Sequence, residues 1–295
     1  MPLSIRQVHP LFVGEVDGVD MRTPPSPALM REIEAAADRY AVLIFPRQDI
    51  TDAQHVAFSQ PFGRLETTIK AYRPGFRGRL DPHVADISNL DEDSRILAAN
   101  DRRRMSSLGN RQWHTDYTFK EAAGKYSFLR AVQVTAEGGE TRFADMRAAY
   151  DALPDRMKAR LDGLVAEHSL LYSRGLIGFT DFSPEEKARL PSSPQLIVRV
   201  HPGCGRRTLY LASHAMMIHG MDIPEGRILL RDLMEHATQP QFVYTHQWAD
   251  GDMVMWDNRC TMHRACEYDP AVVRELRRTT VMEEASSLAL AGVRL

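Results

Sequence analysis

The chain has 295 residues, 43% of them hydrophobic and 26% charged, with a formal net charge of -2. That is enough apolar material for a buried core, and too balanced a charge for a nucleic-acid footprint or a polybasic lipid-binding face. Three cysteines, Cys204, Cys260 and Cys266, lack Cys-x-x-Cys spacing; this argues against a disulfide framework or a structural zinc site and for buried reduced thiols. With no charged-then-apolar leader and no apolar run of about 18 residues, a cytoplasmic protein without a membrane partner is expected. No linker, charge block or fixed-period repeat divides the chain, so residues 1–295 are expected to form one domain with inserted helical and loop segments.

In chain order, the first helix is expected over 26–40 (SPALMREIEAAADRY), followed by a β-type run at 41–45 (AVLIF). A second helix starts at Thr51, which forms a capping box with Gln54, and is stopped by Pro61. Strand patterns follow at 126–134, and a helix at 146–161 (MRAAYDALPDRMKARL). Ser183, Pro184 and Glu186 open a short helix with a second capping box. The runs 195–201 and 208–213 read as strands, 224–238 as a helix, and 242–248, 252–257 and 277–282 as strands. The regular strand-helix rhythm of a doubly wound sheet is missing, as are its glycine fingerprints. Antiparallel strands gathered in the second half, with helices outside, predict a mainly β (α+β) protein around a jelly-roll core.

The stretch NRQWHTDYTF (110–119) carries His114 and Asp116. If it is a strand, both side chains project to one face and Thr115 to the other. A His-x-Asp pair occurs by chance in many proteins and needs a third ligand to mean anything. His263, in DMVMWDNRCTMHRA, is placed to approach from a neighbouring strand. Two imidazoles and one carboxylate on one face of an ion, with the remaining positions open, are the donor set of non-haem Fe(II) oxygenases.

Around that triad the sequence resembles the taurine dioxygenase family of Fe(II)/2-oxoglutarate-dependent oxygenases. The resemblance rests on GNRQWHTDYTF, GGETRFADMRAAYDALP, EHSLLYSRGLIGFTDFSPEE, HATQPQFVYTHQW and DMVMWDNRCTMHRA, and runs over most of the chain. It is loosest between 67 and 105, and several stretches favour the branch acting on aryloxyacetates over that acting on taurine. It implies a double-stranded β-helix with His114, Asp116 and His263 as iron ligands. Thr141 and Arg274 match the groups that bind the distal carboxylate of 2-oxoglutarate, where a guanidinium fork makes a charge-assisted clamp. Trp256 matches a tryptophan lining that site, although residue type alone also fits a core aromatic. Arg278 matches the group gripping the anion of the substrate; without the upstream triad, a solvated charge run would be the favoured reading of RELRR. Asn110 and Thr118 match positions close to the substrate, as do His201 and His214, although a lone histidine is more often structural.

Lys70, with Tyr72 and Arg73, sits in a loop expected to close over an anionic aromatic acid. The implied reaction uses Fe(II), 2-oxoglutarate and O2 to hydroxylate the carbon next to an ether oxygen, releasing a phenol and glyoxylate with succinate and CO2. A small anionic aromatic substrate and a homo-oligomeric assembly are the expected partners. Two rival readings stay open at this point: the same chemistry on taurine or another acid, and a non-catalytic β-helix binding protein or redox-inert metal hydrolase.

Overall fold

A computed structural model describes residues 3–68 and 79–293. The strands are β1 Ser4–Gln7, β2 Gly14–Asp17, β3 Val42–Phe45, β4 Ala85–Ser88, β5 Gly124–Gln133, β6 Thr141–Asp145, β7 Val165–His168, β8 Ser193–Leu196, β9 Val198–Val200, β10 Arg207–Leu209, β11 Ala215–Ile218, β12 Val243–His246, β13 Met253–Asp257, β14 Thr261–Ala265 and β15 Glu275–Met282. Seven of them form the larger sheet in the order β1-β2-β3-β13-β5-β15-β4, antiparallel except for the parallel β2–β3 pair. Opposite lie the three-stranded sheets β12-β6-β14 and β11-β7-β8, with the small β9–β10 ribbon beside them. This is the expected jelly-roll arrangement of sheet on sheet with helices outside.

The period-two alternation of strands explains the layering. In β3, Val42 and Ile44 face the space between the sheets while Leu43 and Phe45 face outward. In β13, Val254 and Trp256 point inward and Met253 and Met255 outward. Both faces are covered, which is why VLIF and MVMWD read as nearly continuous apolar runs. The outward residues pack under helices α1, Pro27–Tyr40, and α2, Asp52–Ser59, through Ile33, Ala37 and Phe58. On the far side, the helix Ile223–Ala237 covers the smaller sheets with Leu229, Leu230 and Leu233. No helix among the described residues is long and apolar enough to cross a membrane.

Most expected elements are present, with informative departures. Both capping boxes form: Thr51 with Gln54, and Ser183 with Glu186; each side-chain cap is worth about 1 kcal/mol. The expected helix over 146–161 is two, Met146–Asp151 and Asp155–Leu161. Pro154 breaks it, having no N–H to give and no room against the preceding turn. The run 195–201 is likewise two strands: β8 pairs with β7, and β9 pairs with β10, the chain changing partners at Ile197. Residues 114–116 do not form the expected strand. His114 makes one antiparallel bridge to His263, and Asp116 opens a turn in which Tyr117 has φ 57°.

Candidate active site

Three side chains converge between the sheets. His263 lies in β14, where Met262 faces the outer helix and His263 therefore faces inward. His114 is fastened beside it by the backbone in both directions, His114 N to His263 O at 3.0 Å and His263 N to His114 O at 2.8 Å. Thr115 turns the other way, its hydroxyl donating to Leu211 O and Thr261 O, so Asp116 returns to the face of His114 without a strand. Asp116 Oδ1 is 3.9 Å from His114 Nε2, and Asp116 Oδ2 is 3.8 Å from His263 Nε2. The ligating atoms of all three lie within 4.8 Å of one another, and all three residues are buried.

The protonation states suit a cation. Burial pushes His114 down to about 4 and His263 well below its usual value, so both rings are neutral near pH 7. His114 Nδ1 is 2.8 Å from Gln112 O, which places the proton there and leaves the Nε2 lone pair facing Asp116. Burial alone would raise the Asp116 carboxyl, but Arg278 and the two imidazoles outweigh it and the net direction is down. Two neutral nitrogens and one carboxylate therefore fit a divalent metal that keeps open positions.

Behind the triad is a polar chain that sequence reasoning missed. Ser127, inward on β5, donates to Asp116 Oδ2 at 2.7 Å. Asn258 Oδ1 accepts from Asp116 N at 3.1 Å and from Trp256 Nε1 at 3.0 Å, while its Nδ2 donates to Ser127 Oγ at 3.0 Å. These bonds fix the carboxylate's orientation, as supporting partners of a metal ligand do. The only signals in the sequence were a serine at an inward position of an apolar strand and the polar end of MWDN.

A cavity of about 280 Å³ adjoins the triad and is lined by Asn110, Tyr117, Arg274 and Arg278, with Phe179 and Leu190 among its apolar walls. Arg278, inward on β15, donates from Nη1 to Asp116 Oδ1 at 2.5 Å. Its neighbour Arg277 faces the other way and pairs with Asp52 and Glu275. Arg274 is 4% exposed, yet among the described residues its guanidinium makes one hydrogen bond, Nη2 to Gly139 O at 2.7 Å. It makes no ion pair among the described residues, and burial pushes its guanidinium down to about 10. Gly139, at φ 75°, is required here: a Cβ would lie 2.8 Å from Arg274 Nε. Thr141 faces the same interior, its hydroxyl accepting from Trp248 Nε1 at 3.0 Å and keeping its own proton to donate.

The model for the "Taurine catabolism dioxygenase TauD, TfdA family" matches residues 4–280. The chain belongs to this family. Among curated relatives, the alpha-ketoglutarate-dependent 2,4-dichlorophenoxyacetate dioxygenase of Burkholderia sp. (strain RASC) is 42% identical, covering 99% of this chain and 98% of that one. The (S)-phenoxypropionate/alpha-ketoglutarate-dioxygenase of Sphingobium herbicidovorans is 36% identical over 88% of each. Of solved structures, AAD-2 in complex with Mn(II) and N-oxalylglycine matches with a TM-score of 0.89 and 49% identity, covering 96% of this chain and 99% of that one.

The other expected site residues of this TauD/TfdA member divide. Asn110, Arg274 and Arg278 line the cavity. Trp256 is not at the cavity wall; its fully buried ring backs the triad, 4.6 Å from the His263 ring. His214 is buried beside the triad, its ring 6.0 Å from that of His114. Thr118 does not reach the cavity. Its hydroxyl is held between His214 Nδ1 at 3.0 Å and His168 Nδ1 at 2.9 Å, so it orients His214. His201 is also corrected. It sits in a separate buried cluster, Nε2 on Asp257 Oδ2 at 2.9 Å and Nδ1 accepting from the backbone of Gly203 and Cys204. Arg259 completes the neutralisation of Asp257 there, which makes the cluster structural. Lys70, Tyr72 and Arg73 lie outside the described residues.

Proposed function

We propose that residues 1–295 form one Fe(II)- and 2-oxoglutarate-dependent dioxygenase domain that hydroxylates aryloxyalkanoates such as 2,4-dichlorophenoxyacetate. The observation that carries this reading is Arg274, a buried cation with no ion pair among the described residues, placed in a cavity that adjoins a His-Asp-His triad. A carboxylate of the co-substrate completes it, with the guanidinium giving the bidentate clamp and Thr141 adding a hydroxyl donor. Iron and 2-oxoglutarate, when bound, supply the oxidising power that lets O2 hydroxylate a C–H bond. His114, Asp116 and His263 would hold the metal on one side and leave the cavity side open.

The protein's own part is positioning. Phe179, Phe182 and Leu190 give the aromatic ring an apolar wall, and Arg278 draws the substrate carboxylate toward the triad. The carbon between carboxylate and ether oxygen is then the one nearest the metal, so the site of oxidation follows from where the anion is anchored. One oxygen atom enters the substrate and the other enters succinate as 2-oxoglutarate loses CO2. The product of an aryloxyacetate is a hemiacetal, which collapses to a phenol and glyoxylate. The reading includes a homo-oligomer working in the cytoplasm.

The test is a panel of 2,4-dichlorophenoxyacetate, an aryloxypropionate, taurine and an alkyl sulfate, each with Fe(II), 2-oxoglutarate and O2. Phenol and succinate released in equal amounts from the aryloxy acids are expected. Succinate coupled to taurine or the alkyl sulfate alone would reassign the substrate.

A further inference from the structure

The cavity contains another arginine that makes no ion pair among the described residues. Arg174, in the last turn of the helix Leu170–Gly175, lines it together with Arg274 and Arg278. Its Nη2 makes one long bond, 3.4 Å, to Asn110 Oδ1. Its Nε is buried and unpartnered. Burial alone pushes the guanidinium down to about 10, with no acidic side chain opposing it, so it remains charged at neutral pH. It shares the lining of the cavity with Tyr117 and Arg278, and Arg278 is bonded to Asp116 of the triad.

The surroundings admit this group by a specific concession. Gly109 packs so closely that a Cβ there would fall on the Arg174 guanidinium. Only glycine leaves the space, and the next residue, Asn110, supplies the one hydrogen bond. A guanidinium withdrawn from water without an anion opposes folding, so an arginine at this place is best explained by an anion that arrives with a ligand.

The reaction proposed above brings two ligands that each carry a free carboxylate into this cavity. Two arginines whose guanidinium burial pushes down, Arg274 and Arg174, make no ion pair among the described residues, while Arg278 is already bonded to Asp116. Resting on the aryloxyalkanoate reading, we infer that Arg174 is a specificity-determining contact that takes the substrate carboxylate jointly with Arg278. The anion is then held from two sides, by the β15 strand and by the helix Leu170–Gly175. A substrate anion reaching only Arg278 would compete with Asp116 for one guanidinium; Arg174 removes that competition.

The experiment is steady-state turnover of the Fe(II) enzyme with 2,4-dichlorophenoxyacetate and, separately, with the neutral 2-(2,4-dichlorophenoxy)ethanol. Wild type, Arg174→Met, Arg174→Lys and Gly109→Ala are compared. Loss of a charged hydrogen bond predicts a rise in KM for the acid of roughly 10- to 100-fold in Arg174→Met. Gly109→Ala should reproduce that rise by displacing the guanidinium, and Arg174→Lys should recover part of it. The KM for 2-oxoglutarate and the behaviour toward the neutral ether should stay as in wild type, and Arg174→Met should melt no lower. An unchanged KM for the acid in Arg174→Met overturns the inference, and so do equal losses with acid and neutral ether, which would make Arg174 a packing residue. No turnover of the acid by wild type overturns the substrate reading and the clamp together.

Discussion

Replacing Arg274 by leucine separates a ligand-binding arginine from a structural one. In the wild-type protein Arg274 is 4% exposed, and among the described residues its guanidinium donates to Gly139 O and lies 5.3 Å from the centre of the Tyr268 ring. Removing it takes one donor from that carbonyl, a loss of about 1 kcal/mol. It also removes a buried cation that has no ion pair among the described residues, which is a gain of similar kind and opposite sign. The ligand-free variant should therefore melt close to wild type. With 2-oxoglutarate present the balance changes, because a carboxylate entering the same buried place loses its partner. Truncating one side of such a pair costs about 2–5 kcal/mol, roughly 30- to 5,000-fold in dissociation constant. The assay is an anaerobic titration of 2-oxoglutarate into the Fe(II) protein, read by the charge-transfer absorption of the chelate, with a thermal melt alongside. Thr141→Val should shift the midpoint less, by about 1 kcal/mol, since one neutral hydroxyl is lost. An unshifted midpoint in the Arg274 variant refutes the reasoning; a large drop in melting temperature matching the loss of affinity would make the arginine a scaffold residue.

Removing metal with EDTA should abolish oxygenation; Fe(II) should restore it and Zn(II) should not, and full turnover after strict depletion would contradict the His114, Asp116 and His263 assignment. Asn258→Ala should loosen the metal and lower the melting temperature, because it strands Asp116 N and Trp256 Nε1 in the interior at about 1–3 kcal/mol for each unsatisfied group and takes one donor from Ser127 Oγ; Mn(II) titration and melting together check it, and unchanged affinity would mean that the triad needs no such support. Acid should unfold the protein through His55 and His168, which burial pushes down to about 3 from 6.5. Between those values the unfolded chain binds the extra protons, so their contribution is complete above pH 6.5 and lost as pH falls toward 3, at up to about 1.4 kcal/mol per pH unit for each ring. His55→Gln should flatten the slope seen in urea melts at stepped pH, and an unaltered slope would remove this account.

The core strands and the main helices were legible because their signals are local. Alternation in AVLIF and DMVMWD, the capping boxes at Thr51 and Ser183, and the long amphipathic helix before residue 238 all report on neighbours within a few positions. What was not legible depends on contacts distant in the chain. The sequence cannot show that Ile197 hands the chain from one sheet to another, or that β4 finds its partner in β15. The same division runs through the site. His114, Asp116 and His263 stood out by type and by resemblance, although the reason given for their shared face, a strand, was not the one the structure uses. His201 looked equivalent to His214 as a lone polar residue near strands; only packing separates a ring beside the metal from one saturated by Asp257 and two backbone amides. Arg174 lay within a stretch used to establish the resemblance and drew no attention, since an arginine declares its role only through the absence of an acid around it.

The two-way backbone pairing of His114 with His263 holds two of the triad's three side chains by main-chain bonds that need no ion. In a zinc finger the ion and the fold form together, and a chelator unfolds the chain. Here the pairing predicts that loading and folding are separate events, so stripping the metal should leave the amides of these two histidines as protected from hydrogen exchange as before. A ready-made socket is also an undiscriminating one. Divalent ions of similar size compete for it by their own affinities, and the ion a given preparation carries will record which metal was available when the protein was made.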